Sequence, residues 1–275
     1  MDRMTKDQIV LVTGASSGIG SVVANNLHSL GYEVYGTSRQ SQEKKSFTWL
    51  TLDVNQETSV TTAINSLIDR HGKIDVLINN AGLAMISALE EAPSANIDKV
   101  MNTNFGGVVR MIQAVLPHMR RQTSGKIINV SSIAGLMGLP YRSIYSASKF
   151  AVEGLTESLR TEVMKFGIQV CSIQPGSIKT DIKANRVSHI PEDSAYNPEL
   201  ERTAKIIDEE VAAGIDALEV AKMISRLLKK SQWRAKYVVA KPFQIGVTKA
   251  RPLVPGGPFE KLLMNHYGIA RKSDE

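Results

Sequence analysis

The chain has 275 residues, 43% of them hydrophobic, enough to bury one sizeable core. Its 33 basic against 27 acidic residues leave a net charge of +6, which suits an anionic ligand but is too thinly spread to mark a nucleic-acid groove. A single cysteine, Cys171, excludes an intrachain disulfide and a cysteine-built zinc site. No stretch approaches the ~18 apolar residues of a membrane span, and no leader-like segment precedes Ile9, so a cytoplasmic protein is expected.

In chain order, short apolar runs alternate with helix-period segments: a strand at Ile9–Val12, a helix over 19–30, strands at 33–35 and 47–52, a helix over 60–68 and a strand at 74–78. A helical pattern over 105–121, a strand at 126–130, a helix over 145–166 and a strand at 168–173 follow. Such alternation builds βαβ units with a parallel sheet and helices on both faces, a three-layer, doubly wound α/β fold in a single domain spanning 1–275. From 183 to 213 the chain turns polar, with Pro191 and Pro198 as breakers, before a helix at Ala217–Leu228 and a last strand at Lys236–Val239. Residues 183–230 read as an insertion over the site, and 241–275 as a C-terminal extension.

The first strand runs into Thr13-Gly14-Ala15-Ser16-Ser17-Gly18-Ile19-Gly20 and then a helix. Glycines there let backbone approach a pyrophosphate, whose charge meets the free N–H groups of the helix start. An NAD-preferring fold usually carries an acid at the end of the second strand, where this chain has Thr37-Ser38-Arg39. With no carboxylate available, Arg39 suits a 2′-phosphate and NADP(H) is expected, although an arginine at a strand end is also an ordinary surface residue. Asp53, followed by Val54, either accepts from an adenine amino group or caps the next helix.

Tyr145 and Lys149 stand four apart, on one helix face, where an ammonium would draw a phenol down toward working pH for acid/base chemistry. Ser131 and Ser132 end a strand, and a hydroxyl there faces the ligand crevice of an open α/β sheet. His189 and Tyr196 read as loop residues, Met223 as core, and His71 and His118 as surface or packing residues. No cluster of His, Asp or Glu has metal-ligand spacing, and no metal is expected.

Together these residues resemble the short-chain dehydrogenase/reductase family, in its single-domain branch. Residues 9–181 carry the pattern: the turn from Thr13 to Gly20, Asn79-Asn80-Ala81-Gly82, Asn104 before Phe105-Gly106, Ser132 ahead of Tyr145 and Lys149, and Pro175-Gly176 with Thr180. The resemblance implies that Tyr145 exchanges the proton, Lys149 lowers its pKa and binds the nicotinamide ribose, Ser132 holds the substrate oxygen, and Asn104 anchors a water linking Lys149 to solvent. It also places Gly14, Ser16, Ser17, Gly18, Ile19, Ser38, Arg39, Asp53, Val54, Asn80, Ala81 and Gly82 around the cofactor, with Pro175, Gly176, Ile178 and Thr180 holding the nicotinamide. Segments 135–140 and 148–155 look like those of hydroxysteroid and retinol dehydrogenases, which implies a lipophilic alcohol or carbonyl substrate. A homodimer or homotetramer, paired through the helices at 105–121 and 145–166, is likewise implied. The tail, with Val254-Pro255-Gly256-Gly257 and an amphipathic 259–267, lies either over the substrate entrance or a lipid surface, or along a subunit interface or sheet edge.

Overall fold

The computed structural model describes residues 7–40 and 46–269. Seven strands form one all-parallel sheet: β1 (Ile9–Val12), β2 (Glu33–Ser38), β3 (Thr48–Thr51), β4 (Val76–Asn79), β5 (Gly125–Val130), β6 (Ile168–Pro175) and β7 (Lys236–Val239). Their order is β7-β6-β5-β4-β1-β2-β3. The inner strands β1 and β4 are buried at every position, as strands covered on both faces must be, and for that reason β1 is apolar throughout and β4 is apolar up to Asn79 at its carboxyl end.

Helices cover both faces. On one, α1 (Gly18–Ser29) packs on α7 (Ala217–Leu228), with Val23, Leu27, Val220, Ile224 and Leu227 fully buried between helices and sheet. On the other, α2 (Glu57–His71), α4 (Gly107–Gln122) and α5 (Ser143–Val163) bury Ile64, Met111, Val115 and Val152. Strand order reverses between β1 and β4, and an open α/β sheet forms its ligand crevice beyond the carboxyl ends at such a point.

The expected elements are present, with informative differences at their ends. β2 runs on through Thr37 and Ser38 because both pair with β3. β6 runs on to Pro175 because Val239 of β7 pairs with it. The helix expected from 105 begins earlier: α3 (Ser94–Met101) passes through a π turn at Asn102–Gly106 straight into α4. Within 183–230, α7 belongs to the helix layer, since its apolar face lies in the core beside α1. The departure from the layered core is therefore shorter than expected and ends before Ala217. It holds α6 (Glu199–Ala212) and the pairing of Val187–Ser188 with Met85–Ile86. The tail forms α8 (Pro242–Ala250) and α9 (Gly256–Tyr267); the tail's last residues, 270–275, lie outside the described residues, as do 1–6 and 41–45. No helix among the described residues is long and apolar enough to cross a membrane.

Candidate active site

The turn after β1 is held by its neighbour across the switch point. Thr13 Oγ1 accepts from the backbone N–H of Asn80 at 2.9 Å and of Ala81 at 3.0 Å, while Asn80 Nδ2 donates to the carbonyls of Thr13 and Gly14. Gly14 has φ +65°, and a Cβ there would stand 2.9 Å from Ala81 Cα; one on Gly20 would stand 2.3 Å from Asn80 Nδ2. Glycine is required at both by close approach, and at Gly14 by the left-handed backbone as well. Asn80 thus braces the turn itself. Ser17, the residue before α1, makes no side-chain cap, so the first amides of the helix are left for an anion.

A cleft of about 730 Å³ runs from this turn along the sheet's carboxyl edge. Gly14, Ser16, Ser17, Gly18, Ile19, Ser38, Arg39, Asp53, Val54, Asn80, Ala81, Gly82, Tyr145, Lys149 and Thr180 line it. Asp53 does not cap α2, whose cap is Gln56; its Oδ1 accepts from Asn55 N at 2.9 Å. Pro175, Gly176 and Ile178 are not among the lining residues. Pro175 ends β6, Gly176 is packed against Gln244 and Ala240, and Ile178 is buried opposite Ile215, so Thr180 alone of that set reaches the wall.

Of the four groups expected to act in catalysis, Tyr145 and Lys149 line the cleft, while Ser132 and Asn104 lie just behind its lining beside Ser131 and Thr103. Ser132 follows β5 and its Oγ accepts from Ala134 N at 3.1 Å, which orients a hydroxyl near enough to the Tyr145 phenol to favour its charged form. Lys149 lies one turn beyond Tyr145, with Nζ 5.9 Å from the phenol ring centre and donating to the Val130 carbonyl at 3.0 Å. Asn104 sits in the π turn, the kind of helix irregularity that re-aims a side chain. Its Oδ1 accepts from Leu83 N at 2.7 Å, and its Nδ2 donates to Leu83 O and Ser148 Oγ. Gly82 separates the two poles: a Cβ there would be 3.2 Å from Asn104 Oδ1 and 3.6 Å from Lys149 Nζ.

The expected lowering of the Tyr145 pKa does not hold in this state. Burial pushes the phenol up and outweighs the Ser132 hydroxyl and the Arg142 charge that oppose it, while the lysine ammonium is turned to a carbonyl. Burial also lowers Lys149, to about 8, against the pull of Glu153. Sequence reasoning passed over Leu83, which acts through its backbone, and Ser148, which reads as an ordinary helix residue. It also set Ser131 aside for Ser132, yet Ser131 lines the cleft and its buried Oγ has no hydrogen-bond partner.

The tail packs onto the cluster that Tyr145 touches. Phe259 of α9 packs with Ala134, Met137 and Leu139, and Tyr145, Val247 and Leu263 lie against them. Arg142 donates to Tyr267 Oη, and Arg202 donates to the Gly268 carbonyl at 2.6 Å. His189 and Tyr196 lie in the loop before α6, the latter donating to Glu90 at 2.6 Å; Met223 packs on the α1–α7 core, His71 bonds Tyr35, and His118 bonds Arg121.

Residues 8–191 match the family model described as short chain dehydrogenase. The chain belongs to that family. It is 41% identical over 265 residues to the 3-ketodihydrosphingosine reductase of Bacteroides thetaiotaomicron, covering 95% of this chain and 98% of that one. It is 36% identical over 196 residues to the retinol dehydrogenase 8 of Bos taurus, covering 66% and 62% of the two chains. A short-chain dehydrogenase from Streptomyces avermitilis superposes with a TM-score of 0.81 at 26% identity, over 95% of this chain and 96% of that one. This short-chain dehydrogenase is thus an oxidoreductase of alcohol and carbonyl groups that binds a nicotinamide cofactor. The uncapped α1 amides and the hydroxyls of Ser16 and Ser17 are the donors such a dinucleotide needs.

Proposed function

We propose that this protein uses NADP(H) to interconvert a ketone and a secondary alcohol on a long-chain, lipophilic substrate of the 3-ketodihydrosphingosine kind. The observation that carries the reading is the apolar cluster of Ala134, Met137, Leu139 and Phe259, against which Tyr145 packs. A pocket with one polar focus and apolar walls suits a lipid bearing a single reacting oxygen. Arg39, on the cleft at the end of β2 with no carboxylate beside it in 37–39, supports the 2′-phosphate of NADP(H).

When bound, the nicotinamide supplies or receives the hydride. Tyr145 gives the proton to the carbonyl oxygen, or takes it from the alcohol, and Ser132 holds that oxygen in place. Lys149 offsets the charge that develops on the phenolate and holds the nicotinamide ribose. Asn104 anchors the water that returns the proton to Lys149. Pairing between copies through α4 and α5 is supported by Phe150, 45% exposed on α5. Exposed Phe243, Leu253 and Leu262 beside Lys249, Arg251 and Lys261 support a peripheral lipid contact for the tail.

The test is to mix the protein with NADPH or NADH and a ketone series from short alkanones to 3-ketodihydrosphingosine, following nicotinamide absorbance. Turnover should favour NADPH and rise with chain length. A flat response to chain length overturns the lipophilic substrate, and NADPH binding without consumption of any ketone would indicate a cofactor-sensing protein instead.

A further inference from the structure

Tyr145, Lys149 and Glu153 follow one another at intervals of four on α5 and so share a helix face. Glu153 is only 4% exposed, a rare place for a carboxylate without a charged partner. Its Oε2 accepts from Ser172 Oγ at 3.0 Å and from Gln174 Nε2 at 2.7 Å, both on β6. Those neutral donors fix the side chain without cancelling its charge. Its Oε1 is buried with no hydrogen-bond partner. On the surface side Lys236 Nζ stands 4.0 Å from Oε2, but 2.5 Å from Glu157, which holds it more closely. On the cleft side the next charge along the face is Lys149, itself 6% exposed.

We propose that Glu153 is the positioning residue of the active-site lysine, a fixed interior carboxylate that holds Lys149 in its charged form. This rests on the reading of Lys149 as the partner of Tyr145. Two opposite charges one helical turn apart interact through protein and are poorly screened. Gly135 seals the face from water: a Cβ there would be 2.9 Å from the Lys149 carbonyl and 3.1 Å from Glu153 Cγ.

The other groups facing the pair do not replace this charge. Around Lys149, β5 offers the neutral Val130 carbonyl and the π turn the neutral Asn104; Arg142 faces Tyr145. Around Glu153, β6 offers Cys171, whose thiol burial pushes up to about 12 while Glu153 adds to the rise and Arg160 opposes it. Burial alone pulls Lys149 down, and Glu153 pulls it back up. Without the carboxylate the lysine loses its proton at lower pH, and ketone reduction, which needs the ammonium, fails earlier as pH rises.

Glu153→Gln keeps the size and the β6 contacts. In it, the high-pH limb of kcat for NADPH-driven ketone reduction should move down by about one pH unit. The titration of Lys149, read by carbon NMR of the lysine Cε in cofactor-free protein, should move with it. Glu153→Asp should stay near wild type. Lys236→Met, at a half-exposed site, removes a cation that competes for Glu153 and should move limb and titration slightly upward. An unmoved limb and an unmoved titration in Glu153→Gln overturn the proposal, even if thermal stability falls; should that variant not fold, a Lys236→Met titration that stays put or moves down overturns it. Absence of any wild-type turnover would sink the reductase reading while leaving the Lys149 titration to decide on Glu153.

Discussion

The part of the molecule that holds the glycine turn and the part that closes over Tyr145 are built by different forces. Up to Thr180, position is set by the sheet and by polar side chains locked to backbone: Thr13 to Asn80 and Ala81, Asn104 to Leu83, Lys149 to Val130. Beyond it, position is set mostly by apolar packing of α6, α8 and α9, pinned by a few long polar side chains such as Arg142 on Tyr267, Arg202 on Gly268 and His266 on Glu210. Backbone-locked groups cannot shift without breaking the sheet, whereas a packed helix tolerates volume-conserving exchange. The proton chemistry is therefore the rigid part, and the substrate wall the adjustable one.

The largest expected effect lies in the rigid part. Tyr145→Phe removes one hydroxyl and keeps the ring against Met137 and Phe259, so it should bind NADPH as before yet lose a hundredfold or more in turnover, for short and long ketones alike. Single-turnover hydride transfer and fluorescence titration of NADPH separate the two quantities. Retention of turnover would mean that the proton comes from elsewhere.

Next in size is Arg39→Ala. A charge-assisted contact to a phosphate contributes about 1.5–3 kcal/mol, roughly ten- to hundredfold in affinity. NADPH binding should weaken by that factor and NADH binding hardly at all, as measured by paired titrations. Equal weakening of both removes the 2′-phosphate from the account.

Phe259→Ala probes the adjustable part. Losing a buried aromatic from the wall costs about 1.5 kcal/mol or more of apolar contact, so kcat/KM for a long-chain ketone should fall about tenfold. Short ketones and NADPH binding should change little. If short and long substrates lose equally, α9 supports the Tyr145 end of the cleft rather than the lipid.

The same division explains what could be read from the chain. The strands at Ile9–Val12 and Lys236–Val239 and the helix at Ala217–Leu228 occur at the residues expected, because each is a short apolar or strongly periodic run. Tyr145 and Lys149 were legible because helical spacing alone puts them on one face. Asn104 was visible as a residue but not as a geometry, since nothing in 102–106 signals a π turn, and its partner Leu83 acts through backbone atoms. That Pro175 and Gly176 stand off the cleft lining was not legible, because their place is set by the pairing of β6 with β7, a contact between distant segments. The rise of the Tyr145 pKa escaped for a similar reason: charges can be counted along a helix, but burial comes from the whole fold.

The smallest expected effect concerns the outer side of the adjustable part. Phe243 is 70% exposed and Leu253 85%, on a stretch where Lys241, Lys249, Arg251 and Lys261 face a single acid, Glu260. Neither side chain supports the core, so Phe243→Ser with Leu253→Ser should leave thermal stability and turnover of a water-soluble ketone unchanged. Two exposed apolar side chains contribute on the order of 1–2 kcal/mol to an interfacial contact, and the basic residues add a salt-sensitive attraction to anionic lipid. Cosedimentation with vesicles containing an anionic phospholipid should therefore fall several-fold in the double variant, and in both proteins as salt rises. Vesicle binding that is absent in wild type, or equal in the two, assigns this face to another copy of the chain, which the dependence of molecular mass on concentration then tests.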